Sequence, residues 1–221
     1  MWRGMDIFKR PIIVLFLFGA VVIAMLWSYF GNISEQKKTE QQAAEYEEQT
    51  KEILVNLTTV DASDFDEFVR NEYAQARSKA EETDPANKLS AIQVILPSLL
   101  ISSGDTRYVF SSDQDQTNNW TITFSQESSN YIRAEIPKDD FMGELQPIDT
   151  SLWKFNYVTA IQIMEKAGAK EWRETNGLSS VEMILKQDNS NSLLLVWDVT
   201  YYSGSQSISK TIEASTGKII E

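Results

Sequence analysis

The sequence predicts an α+β protein in which an N-terminal transmembrane helix and a helical stalk carry two units, each a helix packed on a small antiparallel sheet. Three observations carry this expectation. Residues 11–30 hold no charged side chain; an amphipathic helical pattern with a capping residue before it occurs twice, near 61–84 and near 156–168; and alternating strand patterns follow each helix.

The apolar run PIIVLFLFGAVVIAMLWSYF, Pro11 to Phe30, is apolar around its whole circumference. Twenty residues at 1.5 Å each reach about 30 Å, the thickness of a hydrocarbon core. Trp27 and Tyr29 fall where an interfacial aromatic belt belongs. The run exceeds the usual core of a cleaved signal peptide, and its exit, Leu26 to Gly31, places bulky rings where a cleavage site wants small side chains. An uncleaved signal anchor is therefore expected. Arg3, Lys9 and Arg10 precede the run, whereas Lys37 and Lys38 beyond it are offset by Glu35 and Glu40, which predicts a cytoplasmic N-terminus. Residues 1–10 form the short inner tail and 31–221 the extracytoplasmic part.

From Ser34 to Lys51 the chain reads SEQKKTEQQAAEYEEQTK, rich in helix formers and poor in large apolar residues. This continues the membrane helix as a stalk over 31–60. Ala43, Ala44, Tyr46, Ile53 and Leu54 keep no heptad, so the stalk alone is a poor coiled coil. The first α+β unit spans 61–149. Asp61, Ser63 and Asp64 are N-cap candidates for a helix whose Phe65, Phe68, Val69, Tyr73, Ala76 and Ala80 share one face, and Asp84-Pro85 ends it. Strands are expected over Leu89 to Leu100, briefly at Tyr108 to Phe110, over Trp120 to Phe124 and over Tyr131 to Ile136.

The second unit spans 150–221. Leu152 to Phe155 reads as a short strand, and Asn156 caps a helix from Tyr157 to about Ala167 with Gly168 as its terminating residue. Strands follow at Val181 to Lys186, Leu193 to Tyr202 and Ser207 to Ala214, separated by turns rich in Asn, Ser and Gly. The strand Trp120-Thr121-Ile122-Thr123-Phe124 resembles Trp197-Asp198-Val199-Thr200-Tyr201, and Ile132 and Ile136 correspond to Ile208 and Ile212, which suggests a duplicated unit.

In the second unit, Trp197 to Tyr201 is followed by Thr211-Ile212-Glu213-Ala214-Ser215-Thr216-Gly217-Lys218-Ile219-Ile220. This ending resembles the PepSY-type domain, whose last strand closes in a "VDA-x-TG-x-(I/V)" pattern after a "W-x-V-x-Y" strand; Glu213 stands where that family often has Asp. The resemblance covers 150–221, and reaches 61–136 only through the internal repeat. It implies an extracytoplasmic bacterial module that binds or restrains peptidases or other envelope proteins and has no catalytic residues of its own.

The chain has 221 residues, 20 Lys plus Arg, 32 Asp plus Glu and a net charge of −12, with no Cys and no His. Thiol and imidazole catalysis, disulfides, and metal sites built on Cys or His are thereby excluded. From Gly31 onward there are 17 basic and 31 acidic residues, a net −14 that disfavours nucleic acid as a partner. Asp113-x-Asp115-x-Thr117 opens like a calcium loop, yet its sixth and twelfth positions are Asn118 and Phe124, so the oxygen cage cannot close. Asp139 and Asp140 read as surface charge, Ser34 and Lys37 match a Ser-Lys spacing only formally, Trp120 and Trp197 read as core aromatics, and sequons begin at Asn32, Asn56 and Asn119. No catalytic, metal or cofactor residue is therefore expected. The function expected is a non-enzymatic, membrane-anchored envelope module that contacts the bilayer through 11–30 and binds another envelope protein or peptide. The alternative is a scaffold subunit that self-associates through its membrane helix and stalk.

Overall fold

Antiparallel pairing joins the seven strands of the described residues into one sheet, in the order β4-β3-β2-β1-β5-β6-β7. The computed structural model describes residues 55–100, 104–125, 130–140, 145–189, 191 and 194–220. These belong to one compact body, Ile53–Glu221. The apolar run 11–30 and residues 31–54 of the expected stalk lie outside the described residues. Among the described residues no helix is long and apolar enough to cross a membrane. Residues 55–60, at the end of the expected stalk, are part of the body: Leu57 is fully buried and its N–H donates to the Leu99 carbonyl at 3.0 Å.

Asp61 accepts from Ser63 N at 3.0 Å and starts a 3-10 turn, Ala62–Phe65, that runs into α1, Asp66–Glu81. The strands β1, Lys88–Leu96, β2, Asp105–Ser111, β3, Asn118–Ser125, and β4, Tyr131–Pro137, then step outward from the centre to one edge. Tyr108 to Phe110, expected as a short extended piece, is the middle of the full strand β2. From β4 the chain returns past the end of β1, where Ile148 N donates to Leu89 O at 2.7 Å, to the end of β7, where Lys154 N donates to Ala214 O at 3.1 Å. The strand expected at Leu152 to Phe155 is instead a 3-10 turn, Thr150–Leu152, and an irregular stretch. The Trp153 indole donates to Phe155 O at 2.9 Å, so a side chain takes that carbonyl in place of a neighbouring strand.

Asn156 caps α2, Tyr157–Met164, accepting from Val158 N at 2.9 Å. The helix was expected to stop at Gly168. Gly168 does adopt the positive φ of a terminating glycine, 106°, but the chain re-enters helical geometry at once, through a widened turn Glu165–Ala169, and continues as α3, Lys170–Asn176. A half-buried ion pair spans the kink: Arg173 Nε and Nη2 meet both oxygens of buried Glu165 at 2.8–3.1 Å. Gly177, at φ 79°, ends the helix. β5, Ser180–Gln187, β6, Leu195–Ser203, and β7, Gln206–Glu213, complete the sheet.

The expectation of two small sheets is corrected by the pairing of β1 with β5. Ile92 lies opposite Leu185 and Val94 opposite Met183, so the first strand of each half forms the centre of a shared sheet. A four-stranded sheet with one helix buries a small core on its own; edge-to-edge fusion gives both helices one continuous surface. Ile92, Val94, Tyr108, Ile122, Met183, Leu185, Trp197 and Tyr201 face those helices and are at most 2% exposed. The strand-by-strand match is also corrected. Trp197 sits on β6, next to central β5, while Trp120 sits on β3, two strands out from β1; β6 therefore occupies the place of β2.

The opposite face is polar and carries a hydrogen-bonded row across five strands. Arg107 donates to Thr123 Oγ1 at 3.3 Å and to Gln93 Oε1 at 3.1 Å, Gln93 Nε2 donates to Glu182 Oε1 at 2.6 Å, and Tyr202 OH donates to Glu182 Oε2 at 3.2 Å. One face in the core and one face polar is the usual partition of an antiparallel sheet.

Removing the guanidinium strands the charge of buried Glu165. Arg173→Ala should cost roughly 3 kcal/mol in urea denaturation followed by tryptophan fluorescence, and adding Glu165→Gln should recover part of the loss. A cost equal to that of an exposed arginine would show that the pair does not hold the kink.

Candidate functional site

The two margins of the sheet are treated differently. At β7 the chain covers the last part of its own edge, residues 211–213: Thr216 and Gly217 turn it back, Ile219 bridges Ile212, and Ile220 N donates to Thr211 O at 2.8 Å. Gly217, at φ 74°, makes this turn, and a Cβ there would lie 3.1 Å from Ile163 Cδ1. Glu213 anchors it by accepting from Ser215 Oγ at 2.6 Å and Thr216 Oγ1 at 2.7 Å, bonds that hold its carboxyl below the usual range.

No strand among the described residues lies beyond β4. Lys138 N donates to Thr117 O at 2.8 Å, so by the two-residue period residues 132, 134 and 136 bond to β3 and the backbone of 131, 133 and 135 points outward. Pro137, which lacks an N–H, falls on the outward set, as an edge position allows. Ile132 is 67% exposed, the most exposed large apolar side chain among the described residues. Arg133 and Glu135 alternate to the helix-bearing face. Arg133 lies 5.7 Å from the Trp120 ring centroid and donates to Thr83 Oγ1 at 3.4 Å; Glu135 accepts from Asn118 Nδ2 at 2.9 Å. Lys79 of α1 stands 5.8 Å from the Tyr131 ring. Backbone donors and acceptors, an apolar side chain and both signs of charge thus meet on one uncovered strand.

A second feature lies inside the body. Glu72 of α1, 7% exposed, faces Tyr108 of β2, and Glu165 faces Tyr201 of β6. Both members are 93 residues apart in the two halves, and so is a third position: Arg173, which neutralises Glu165, corresponds to Ala80, 1% exposed. The first half therefore keeps the carboxyl and the phenol but not the guanidinium. Glu72 Oε1, Thr106 Oγ1 and Tyr108 OH are buried without a hydrogen-bond partner. Burial pushes the Glu72 carboxyl up to about 7, with the nearby Thr106 hydroxyl pulling weakly the other way. Glu72 lies on the stripe of Val69, Ala76 and Ala80, so a charged residue within the apolar helical spacing was the signal that could have found it.

A shallow cleft of about 330 Å³ runs between α1 and residues 150–156, walled by Tyr73, Trp153 and Phe155 with Arg70 and Lys154 at its rim. Its polar groups are already engaged in structure: Asn156 Nδ2 donates to Ala62 O at 2.7 Å and to Asp66 Oδ1 at 2.8 Å.

The residues singled out in the sequence do not converge. Asp115 Oδ1 accepts from Thr117 N, Thr117 Oγ1 and Asn118 N, which closes a turn and lowers its pKa, while Asp113 faces Lys88 at 3.4 Å. Among the described residues no group of three acidic side chains could hold a metal ion. Asp139 is exposed on a 3-10 turn, and the Asp140 side chain lies outside the described residues, as do Asn32, Ser34 and Lys37. Trp197 is buried and its indole donates to Phe155 O at 3.4 Å; Trp120 is half-buried under Arg133. Asn119 is 1% exposed and Asn56 Oδ1 caps its own turn.

The raised Glu72 pKa makes stability depend on pH. Between about 4.5 and about 7 the unfolded chain has released this proton and the folded chain retains it. Stability therefore falls as pH rises through that window and levels off above it, by on the order of 3 kcal/mol. Glu72→Gln should remove this slope and be the more stable protein at pH 8. Denaturation curves for the two chains that run parallel from pH 5 to 8 would refute the assignment.

No family model and no curated protein matches the chain. Among solved structures, the crystal structure of a "putative lipoprotein" from Clostridium difficile 630 overlays with a TM-score of 0.43 at 9% identity, over 67% of this chain and 90% of that one. A likeness at that level bears on neither the family nor the activity of this protein.

Proposed function

We propose that the protein is a non-catalytic binding module of the bacterial envelope, anchored by residues 11–30 with its body outside the cell, and that it takes an extended segment of another envelope protein along β4. The observation that carries the reading is the uncovered edge of β4, with outward backbone groups at 131, 133 and 135 and Ile132 exposed beside them. Strand addition draws affinity from such main-chain groups and specificity from alternate side chains. The charge-free run of 11–30, the excess of acidic residues beyond it, the absence of Cys and His, and the PepSY-like ending at 211–220 support the same reading.

A photo-reactive residue at position 132 of the full chain, expressed at native level, should yield adducts with an envelope polypeptide, and one at Glu67 on exposed α1 surface should not. Ile132→Lys should lower capture by a probe placed at Tyr131. Equal labelling from both positions, or none from 132, would end the edge-binding reading. Protease added to intact cells should remove the body, and its protection would end the topology.

A further inference from the structure

We propose that the segment received by β4 is β4 of a second copy, paired antiparallel about a two-fold axis at Ala134. This rests on the edge-binding reading above and names its partner. The argument is the self-complementarity of Ile132-Arg133-Ala134-Glu135-Ile136. With Ala134 opposite the partner's Ala134, Arg133 lies opposite the partner's Glu135, and Glu135 opposite the partner's Arg133. Ile132 then lies opposite the partner's Ile136, which covers the most exposed large apolar side chain among the described residues. The backbone agrees with this register. The groups of 133 and 135 point outward, so Arg133 and the partner's Glu135 exchange both N–H···O=C bonds, and Ala134 falls at the widely spaced position between them. Tyr131 N donates to the partner's Pro137 carbonyl, so the missing proline N–H forfeits one bond on each side.

Neighbouring registers fail on charge. Moving the axis one residue either way places Arg133 opposite Arg133 or Glu135 opposite Glu135, and like charges directly opposite are destabilising. Charges on an edge normally deter pairing; here they deter every close register but one. The remaining edge is covered at residues 211–213 of β7 by 218–220, and its open part, Gln206–Lys210, holds no acidic residue with which to set a charge-paired register. A seven-residue strand pair buries little surface, and confinement of both copies to one bilayer raises their effective concentration to what so small a contact needs.

The chain contains no cysteine, so a single introduced thiol reports without background. Across a non-hydrogen-bonded pair the Cα atoms lie about 4.5 Å apart, within disulfide reach. In the full chain, in its native membrane under mild oxidation, Ala134→Cys should form a disulfide-linked dimer. Ile132→Cys is more exposed but about 13 Å along the strand from its own copy; it measures random collision and should give at least tenfold less dimer. In the Ala134→Cys background, Arg133→Glu or Glu135→Arg alone should reduce dimer about tenfold or more, and both together should restore it. These positions are exposed, and recovery in the double variant separates pairing from misfolding. Equal dimer from the thiols at 132 and 134, or failure of the double exchange to restore it, overturns the proposal. A monomeric Ala134→Cys chain, when the probe at 132 captures a different polypeptide, overturns self-pairing and leaves edge binding standing. Absence of both signals overturns the two together.

Discussion

The pairing of β1 with β5 is the constraint on which the rest of the body depends. Neither half has a core of its own size to spare, and the join at Ile92–Leu185 and Val94–Met183 turns two marginal surfaces into one. It sets the direction in which each half grows, since successive strands can only be added outward from the centre. It also fixes where the sheet ends. Once the two first strands are used on each other, the last strands become the margins, and their contrasting treatment is what gives the protein a distinguishable side.

The halves are related without being equivalent. The carboxyl and phenol positions recur at one spacing, yet the second half closes its carboxyl with Arg173 while the first offers Ala80. That difference leaves the second half's carboxyl paired across its helical kink and the first half's buried acid raised to about 7. The open edge belongs to the first half, because α1 and β4 lie on the same side of the join. Lys79 beside Tyr131 and Thr83 beside Arg133 link the end of α1 directly to that edge.

Much of this was legible in local pattern. Asn156 as a cap, the alternating strands β3, β6 and β7, and the turn at Gly217 depend on neighbours a few residues away, and the sequence carries those directly. Gly168 was half legible: its positive φ followed from glycine, but the helix resumes beyond it with Arg173 and Glu165 paired across the kink, a relation that periodicity does not encode. The Trp120 and Trp197 strands look alike because aromatic and β-branched residues suit any half-buried strand, so the resemblance did not reveal their different places in the sheet. The β1 to β5 join was illegible for a plainer reason. It pairs residues about half the body apart, and no local preference distinguishes a central strand from an edge. β4 was read as a strand, but its openness is a property of what lies beside it.

The doubling back of residues 218–220 over β7 has a consequence for assembly. A sheet open on both margins can propagate, each added molecule offering a fresh surface to the next, and the result is a filament. Here residues 218–220 close Thr211–Glu213 of the second margin, so strand addition there is confined to Gln206–Lys210 and growth from that face is curtailed. A short return of the chain, residues 218–220, thus weighs against an endless assembly and toward a finite one.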